Sequence, residues 1–277
     1  MLNRLWRNRK PAIAYYAHFY RPFPFDPDSS WVHPVSFIDD LSEQGIPALP
    51  RGAGSVEDFR HYMPGVSDAR FAHIFGQQAA EYWLYKRGPE SDFVGCSTYR
   101  RYLAIDEACD YAEGYLLTKA NPQSMRGLGS DSQKEAALFY PQSADVITNR
   151  SIVLNISIEQ PYLNAQPAVD WHLFMKAIEK LLPHYRRHML WFQNYNVVSY
   201  ETTCIMRRKL FMRYAREFFS ALEYVFQHAE VVVPDDVPDE PHQHFRYPGF
   251  LGERFLPFFI YANGLRKIEV PLVHLEE

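Results

Sequence analysis

Cysteine is scarce: Cys96, Cys109 and Cys204 are all that the 277 residues contain. Three thiols form no paired framework and suit a reducing cytoplasm. Long apolar runs are missing too. None approaches the roughly 20 residues that span a bilayer. The amino terminus carries no apolar stretch of the secretory kind, so a cytoplasmic chain is the expectation. Charge of one sign is not in excess. A net charge of −4 gives no global attraction to nucleic acid or to an anionic membrane, and no nucleic-acid partner is expected. Several enzyme classes are excluded because their motifs do not occur. There is no Gly-x-Ser-x-Gly elbow, no phosphate loop and no dinucleotide glycine motif. His184 and His188 stand four apart, as zinc ligands can, but without the adjacent Glu of a zinc protease. His242 and His244 lie in a proline-rich stretch with no Cys or carboxylate at metal spacing. No residue is therefore assigned as a metal ligand.

What is present is a globular composition, 47% apolar and 22% charged, with aromatics high at 16%. Packing accounts for most of the aromatics, and the surplus of Tyr and Trp suits stacking on a sugar or a base. Runs at 12–16, 32–38, 92–103, 144–148, 152–156, 197–206, 231–233 and 268–275 read as strands. Stretches at 56–63, 69–86, 169–182, 183–192, 210–229 and 249–263 read as helices. Strands alternating with helices imply an α/β fold with a mostly parallel sheet flanked by helices, in one domain over 1–277. Residues 120–134 are polar and rich in Gly and Ser, and read as a flexible loop that either closes over a ligand or is simply disordered. Two basic runs stand out, a leader at 1–10 and Arg207-Arg208-Lys209. The leader could rest on a membrane surface; a frayed, solvated terminus is the plainer reading.

The most informative stretch is Glu81-Tyr82-Trp83-Leu84-Tyr85-Lys86-Arg87, a Gly88-Pro89 break, then Asp92 to Leu103. The strand after the break ends on Tyr99-Arg100-Arg101-Tyr102. Guanidinium forks match phosphate oxygens and tyrosines stack on sugars or bases, so this end suits a phosphorylated ligand. Adjacent strand residues face opposite sides, so one arginine alone can point at a ligand unless the strand has already turned. A buried arginine paired with a core carboxylate is the competing reading. His18 follows the first strand, at the edge where α/β sheets bind ligands.

These motifs resemble a bacterial glycosyltransferase-like family of capsular and exopolysaccharide biosynthesis, long described as a domain of unknown function and related to GT-A glycosyltransferases. Its pattern runs roughly E-L-T-A-L-Y-W-I-W-K-N, a gap, then Y-I-G-L-x-H-Y-R-R-Y-F. Here Tyr82-Trp83, Lys86, Gly95 and Tyr99-Arg100-Arg101-Tyr102 match, while Gln77 replaces a Glu and Thr98 replaces the His. The carboxyl half adds Pro161-Tyr162, Asp170-Trp171-His172, the run Thr202 to Phe211 and Arg246 to Phe255, with Thr202-Thr203 in place of Asn-Met. The resemblance covers about residues 10–275.

The resemblance implies a GT-A-like, Rossmann-like fold. It also implies glycosyl transfer from a nucleotide sugar, most simply a uridine-linked one, to a glycan or lipid-linked acceptor in capsule, exopolysaccharide or O-antigen assembly. Such a protein works in the cytoplasm, peripheral at the inner membrane. It makes Arg100, Arg101, Tyr99, His18 and Arg246 candidates for the donor diphosphate, and Thr98, Tyr102, His172 and Thr202 candidate substrate contacts. The base is sought in Asp170 or Glu253. Asp170 opens a helix whose positive end keeps its carboxylate a weak base. Glu253 follows Gly249 and Gly252 near another helix start, and an ion pair with Arg246 or Arg254 is its plainer role. Enzymes of the related fold often hold Mg or Mn with Asp-x-Asp. Asp26-Pro27-Asp28 and Asp235-Asp236 are the superficial candidates, and both sit among prolines. Two other readings stay open: a non-catalytic glycan- or nucleotide-binding module, and a sugar-phosphate transferase.

Overall fold

In the computed structural model, which describes residues 12–37, 39–50, 52–105, 115–139, 143–199, 201–229 and 246–276, the strands in chain order are as follows. They are β1 (Ile13–Phe19), β2 (Val32–Ser36), β3 (Phe93–Thr98), β4 (Arg101–Leu103), β5 (Tyr115–Lys119), β6 (Val146–Asn149), β7 (Ile152–Val153), β8 (Val197–Val198), β9 (Cys204–Arg207), β10 (Lys267–Val270) and β11 (Leu272–Glu276). The α-helices are α1 (Asp68–Phe75), α2 (Gln77–Arg87), α3 (Pro122–Leu128), α4 (Asp131–Phe139), α5 (Glu159–Ala165), α6 (Ala168–Leu181), α7 (Met189–Asn194), α8 (Arg208–His228) and α9 (Tyr247–Ala262). The runs at 1–10 and 231–233, together with Asp235-Asp236, His242 and His244, lie outside the described residues.

The central sheet runs β2-β1-β3-β9-β6-β10, parallel at every step except where β9 enters antiparallel between β3 and β6. β4 folds back from β3 at the Thr98–Arg101 pair and leads into β11 and β5. β7 and β8 form a separate two-stranded ribbon. Alternate residues of each strand feed two cores. Val94, Cys96, Cys204 and Met206 pack under α2, α6, α8 and α9, whereas Phe93, Ile147 and Ile205 pack with Tyr15, Phe19 and Tyr102 on the other face. Gly95 is required by this closeness: an added Cβ would lie 2.2 Å from Tyr15 Cδ2 and 2.8 Å from Ile205 Cγ1.

Several elements differ from the sequence expectation, each for a local reason. The single helix expected over 69–86 is two, broken at Gly76, whose φ of 51° suits a residue without a Cβ. Residues 120–134 are not a loop. Asn121 caps α3 by accepting from the Gln123 and Ser124 amides, Ser124 Oγ returns to the Asn121 amide at 3.0 Å, and Pro122 fills the first turn. α4 follows from Asp131. The expected 92–103 strand turns at Tyr99-Arg100. The 197–206 strand is interrupted before β9, and Pro271 separates β10 from β11. His18 lies within β1 itself, in register with Val35 and Thr98.

Candidate active site

The parallel strands β1, β3 and β6 end together at one edge, and β9 starts there, since Cys204 pairs with both Cys96 and Thr148. Thr202 and Thr203 therefore sit beside Thr98 and Asn149. The first turns of α2 and α9 close over them: Gln78 Nε2 donates to Thr202 Oγ1 at 3.2 Å, and Gly252 packs so near that an added Cβ would lie 2.9 Å from Gln78 Nε2. This edge buries polar groups that have no hydrogen-bond partner: both ring nitrogens of His18, Thr98 Oγ1, Thr148 Oγ1, Thr203 Oγ1 and Gln77 Oε1. Buried polar atoms are ordinarily paired, and leaving one bare costs about 1–3 kcal/mol. A concentration of them at a ligand-binding edge is what a polar substrate or its water would satisfy. Burial lowers the His18 pKa to about 3, so its ring is neutral and offers hydrogen bonding but no charge at this edge.

The turn at Tyr99-Arg100 separates the two arginines. Tyr99 is 1% exposed and forms a platform: Arg21 Nε donates to its hydroxyl at 2.7 Å, and the Arg21 and Arg100 guanidinium carbons lie 5.5 and 5.8 Å from its ring centre. Tyr20 stands edge-on to it at 4.8 Å, with His73 beyond at 5.7 Å. Arg100 Nε is buried without a partner. Tyr102 is also buried, and its hydroxyl donates to the Tyr99 carbonyl at 3.0 Å, which holds the turn. Arg101 goes the other way. It lies in register with His274 of β11 and pairs with Glu201 Oε1 at 2.8 Å. Both arginines stand near enough to His274 to lower its pKa, after the larger effect of burial.

Glu201 was not legible as a functional residue. Among the described residues it alone, apart from glycines, adopts a positive φ, 81°, a conformation uncommon for a side chain of this kind. That twist sends its carboxylate to Arg101 and its amide to Glu253 Oε1 at 3.3 Å. Glu253 also meets Arg254 Nη1 at 3.4 Å. It keeps 19% of its side chain open, yet protein surrounds it closely enough that desolvation, then the Glu201 charge, pushes its pKa up to about 7 against the pull of Arg254 and Arg246. Arg254 is itself 2% exposed, bonded to the Ile158 and Phe250 carbonyls and lying 5.2 Å from the Tyr162 ring centre. Arg246 stands at the start of α9 beside Gly76, where an added Cβ would be 3.5 Å from its Nη2.

Asp170 is 5% exposed near the start of α6, and burial pushes its pKa up to about 7. The helix dipole expected to keep it a weak base is outweighed by desolvation. Burial first and then the nearby Asp170 charge raise the phenols of Tyr162 and Tyr247, whose hydroxyls are buried without partners. Thr202 lies within the Gln78 bond. His172 points away from this group, exposed on α6, where it lines an open groove with Lys176, Glu179 and Arg186. Asp26-Pro27-Asp28 forms a turn closed by the Asp28 amide on Asp26 Oδ1. Among the described residues no three His, Cys, Asp or Glu side chains gather to hold a metal. A divalent ion on a diphosphate would be held by carboxylates at the end of β3, and that end offers Thr98, Tyr99 and Arg100 instead, a donor set that does not fit it.

A family model described as a domain of unknown function, DUF4422, matches residues 72–264. The chain is similar to an apo structure of WbbM, a bifunctional glycosyltransferase, with a TM-score of 0.71 at 15% identity. The match covers 96% of this chain and 46% of that one, so the chain spans less than half of WbbM's length. At this identity the likeness speaks for the fold, and the GT-A-like α/β sheet expected from the sequence is the fold found. No curated protein matches the sequence.

Proposed function

The chain belongs to the DUF4422 family, and on that premise we propose that it transfers a glycosyl group from a nucleotide sugar to a glycan or lipid-linked acceptor in bacterial surface polysaccharide synthesis. The observation that carries this reading is the run Arg101–Glu201–Glu253, continued by Arg254, at an edge of unsatisfied polar groups. Donor departure needs positive charge on the diphosphate, and acceptor attack needs a base. Arg101, paired to Glu201, and Arg246, whose charge acts on Glu253, supply the first. Glu253, with a pKa near neutrality, is a base strong enough to take the acceptor proton and still ionised in part at neutral pH. The acceptor oxygen bonds to the anomeric carbon as its proton passes to the Glu253 carboxylate. The bond from that carbon to the diphosphate oxygen breaks, and the electron pair leaves with the nucleoside diphosphate. Asp170 is another carboxyl that burial raises to about 7. A uridine-linked donor and a site of action on the cytoplasmic side of the inner membrane complete the reading.

A non-catalytic binding module is the second reading. It is favoured by Thr202 and Gln77, which depart from the family pattern and are engaged in internal bonds to Gln78 and Glu81. Thermal shift with UDP, GDP, CMP and their sugars, with and without Mn²⁺, tests binding, because a ligand of the folded state raises its melting point. Hydrolysis or transfer of the nucleotide sugar that binds then separates enzyme from binder. Stabilisation by no nucleotide would remove the transferase reading with these donors and leave a glycan-binding module, which binding to glycans then tests.

A further inference from the structure

Proton transfer at Glu253 leaves Asp170 without a part in the reaction. Asp170 stands at the start of α6, buried, and among the described residues no cation or donor bonds its carboxylate. Two phenols lie beside it. Tyr162 of α5 is 0% exposed and Tyr247, the first residue of α9, is 3% exposed; each buries a hydroxyl that has no partner. The three groups come from three helices. They stand close enough that the Asp170 charge acts on both phenols and Tyr162 acts on Tyr247, yet no hydrogen bond joins the phenols to Asp170 or to each other. A fold that used these groups for its own stability would have closed those bonds, because a buried polar group left bare is a cost. The gap among them lacks polar atoms that the described residues do not supply.

The surroundings hold these groups in place beside the transfer site. The indole of Trp171, next to Asp170, donates to Glu159 Oε1 at 2.6 Å, which ties α6 to α5. The Trp171 and Tyr162 rings lie 5.3 Å apart. Arg254 Nε donates to the Ile158 carbonyl at 3.2 Å, which ties α9 to the start of α5. Groups held this firmly before a ligand arrives lose little freedom on binding it. Arg254 also links the two parts: its charge acts on Glu253 on one side and on Tyr162 on the other. The chemistry of the three groups then selects the ligand. A carboxylate accepts from two neighbouring hydroxyls at once, and a phenol both donates and accepts. Sugar hydroxyls also do both. A phosphate is disfavoured, because the Asp170 charge repels it. A divalent ion is disfavoured, because it is offered one carboxylate and two neutral phenols.

We propose that Asp170, Tyr162 and Tyr247 recognise the hydroxyls of the sugar being transferred and so select the donor, while Glu253 alone acts as the base. This rests on the transferase reading. Calorimetry on the full chain compares UDP with UDP-glucose, UDP-galactose and UDP-N-acetylglucosamine, and a thermal melt follows each variant without ligand. Asp170→Asn should weaken binding of the preferred nucleotide sugar at least about tenfold, and Tyr162→Phe and Tyr247→Phe by about three- to tenfold each, while all three hold UDP within about twofold. Without ligand, the two Phe variants should melt within about 2 °C of the wild type or above it, because each loses a buried hydroxyl that the fold does not bond. A larger fall would show those hydroxyls to be bonded within the fold and would overturn the proposal. Equal loss of UDP and nucleotide sugar would overturn it too. So would unchanged sugar binding in Asp170→Asn with slowed transfer, which would make Asp170 the base. Unchanged sugar binding in all three variants would mean that the gap holds water only, and would overturn the proposal while leaving the transferase reading intact. A wild type that binds no nucleotide would remove that reading, and this one with it.

Discussion

At one edge of the sheet Arg101, Glu201, Glu253 and Arg254 are paired and largely withdrawn from solvent; at the other, Lys209 and Arg216 stand in it. The difference is one of stakes. Charges inside a poorly hydrated edge act on one another strongly and tolerate little displacement, so they suit chemistry on a bound substrate. Charges in water are screened within about 8–10 Å and act as a diffuse field. A single β3 connects them: Phe93 starts it beside Arg207, and Thr98 ends it beside Arg101.

The comparison breaks most sharply at Glu253. Glu253→Gln should lower single-turnover transfer by about 10²–10⁴-fold while nucleotide affinity stays within about threefold, since removing a general base affects the transition state. Loss of affinity with unchanged chemistry would make Glu253 a binding residue. Next comes Arg101→Ala, expected to weaken nucleotide binding by about 10–100-fold, the value of a charge-assisted bond. Glu201→Gln should weaken transfer less and move the acid limb of its pH profile downward, because the Glu201 charge, after burial, raises the Glu253 pKa.

Stability offers a smaller contrast. Gly252→Ala should cost about 1–3 kcal/mol, as its Cβ would press on Gln78 and on Thr202 Cγ2 at 3.1 Å; a thermal melt measures it. Glu81 is 1% exposed, and burial pushes its pKa from 4.5 up to about 7. The folded state thus holds this proton more tightly than the unfolded chain does. Its contribution is most favourable below about pH 4.5 and is lost as pH rises through 7. Glu81→Gln should accordingly flatten the fall in melting temperature between pH 5 and 8, and an unchanged slope would show that Glu81 ionises without cost. The smallest expected effect is on the amino edge: Lys209→Glu with Arg216→Glu should leave transfer to a soluble acceptor within about twofold.

Much of the fold was legible because helices and strands carry their periods openly. α6 and α8 show apolar faces at helical spacing, and β3 is a short apolar run after a Gly-Pro break. The loop assigned to 120–134 was misread although Asn121-Pro122 is itself a helix-start signal; Gly and Ser content outweighed it. The candidate site was half legible. Arg100, Arg101 and Glu253 stand in recognisable motifs, but the turn at Tyr99, which parts Arg100 from Arg101 and brings Arg101 through Glu201 to Glu253, is announced by no periodicity. Glu201 had no signal of its own. Its role comes from a backbone twist, and the one sequence-level clue was that a strand-end arginine needs a carboxylate.

The central claim is that the carboxyl edge holds a nucleotide diphosphate through Arg101 and performs chemistry through Glu253. Calorimetric titration of UDP into the wild type, Arg101→Ala and Glu253→Gln tests it most directly. The account predicts binding to the wild type, near-equal binding to Glu253→Gln and binding at least about tenfold weaker to Arg101→Ala. Equal affinity for all three proteins would contradict it.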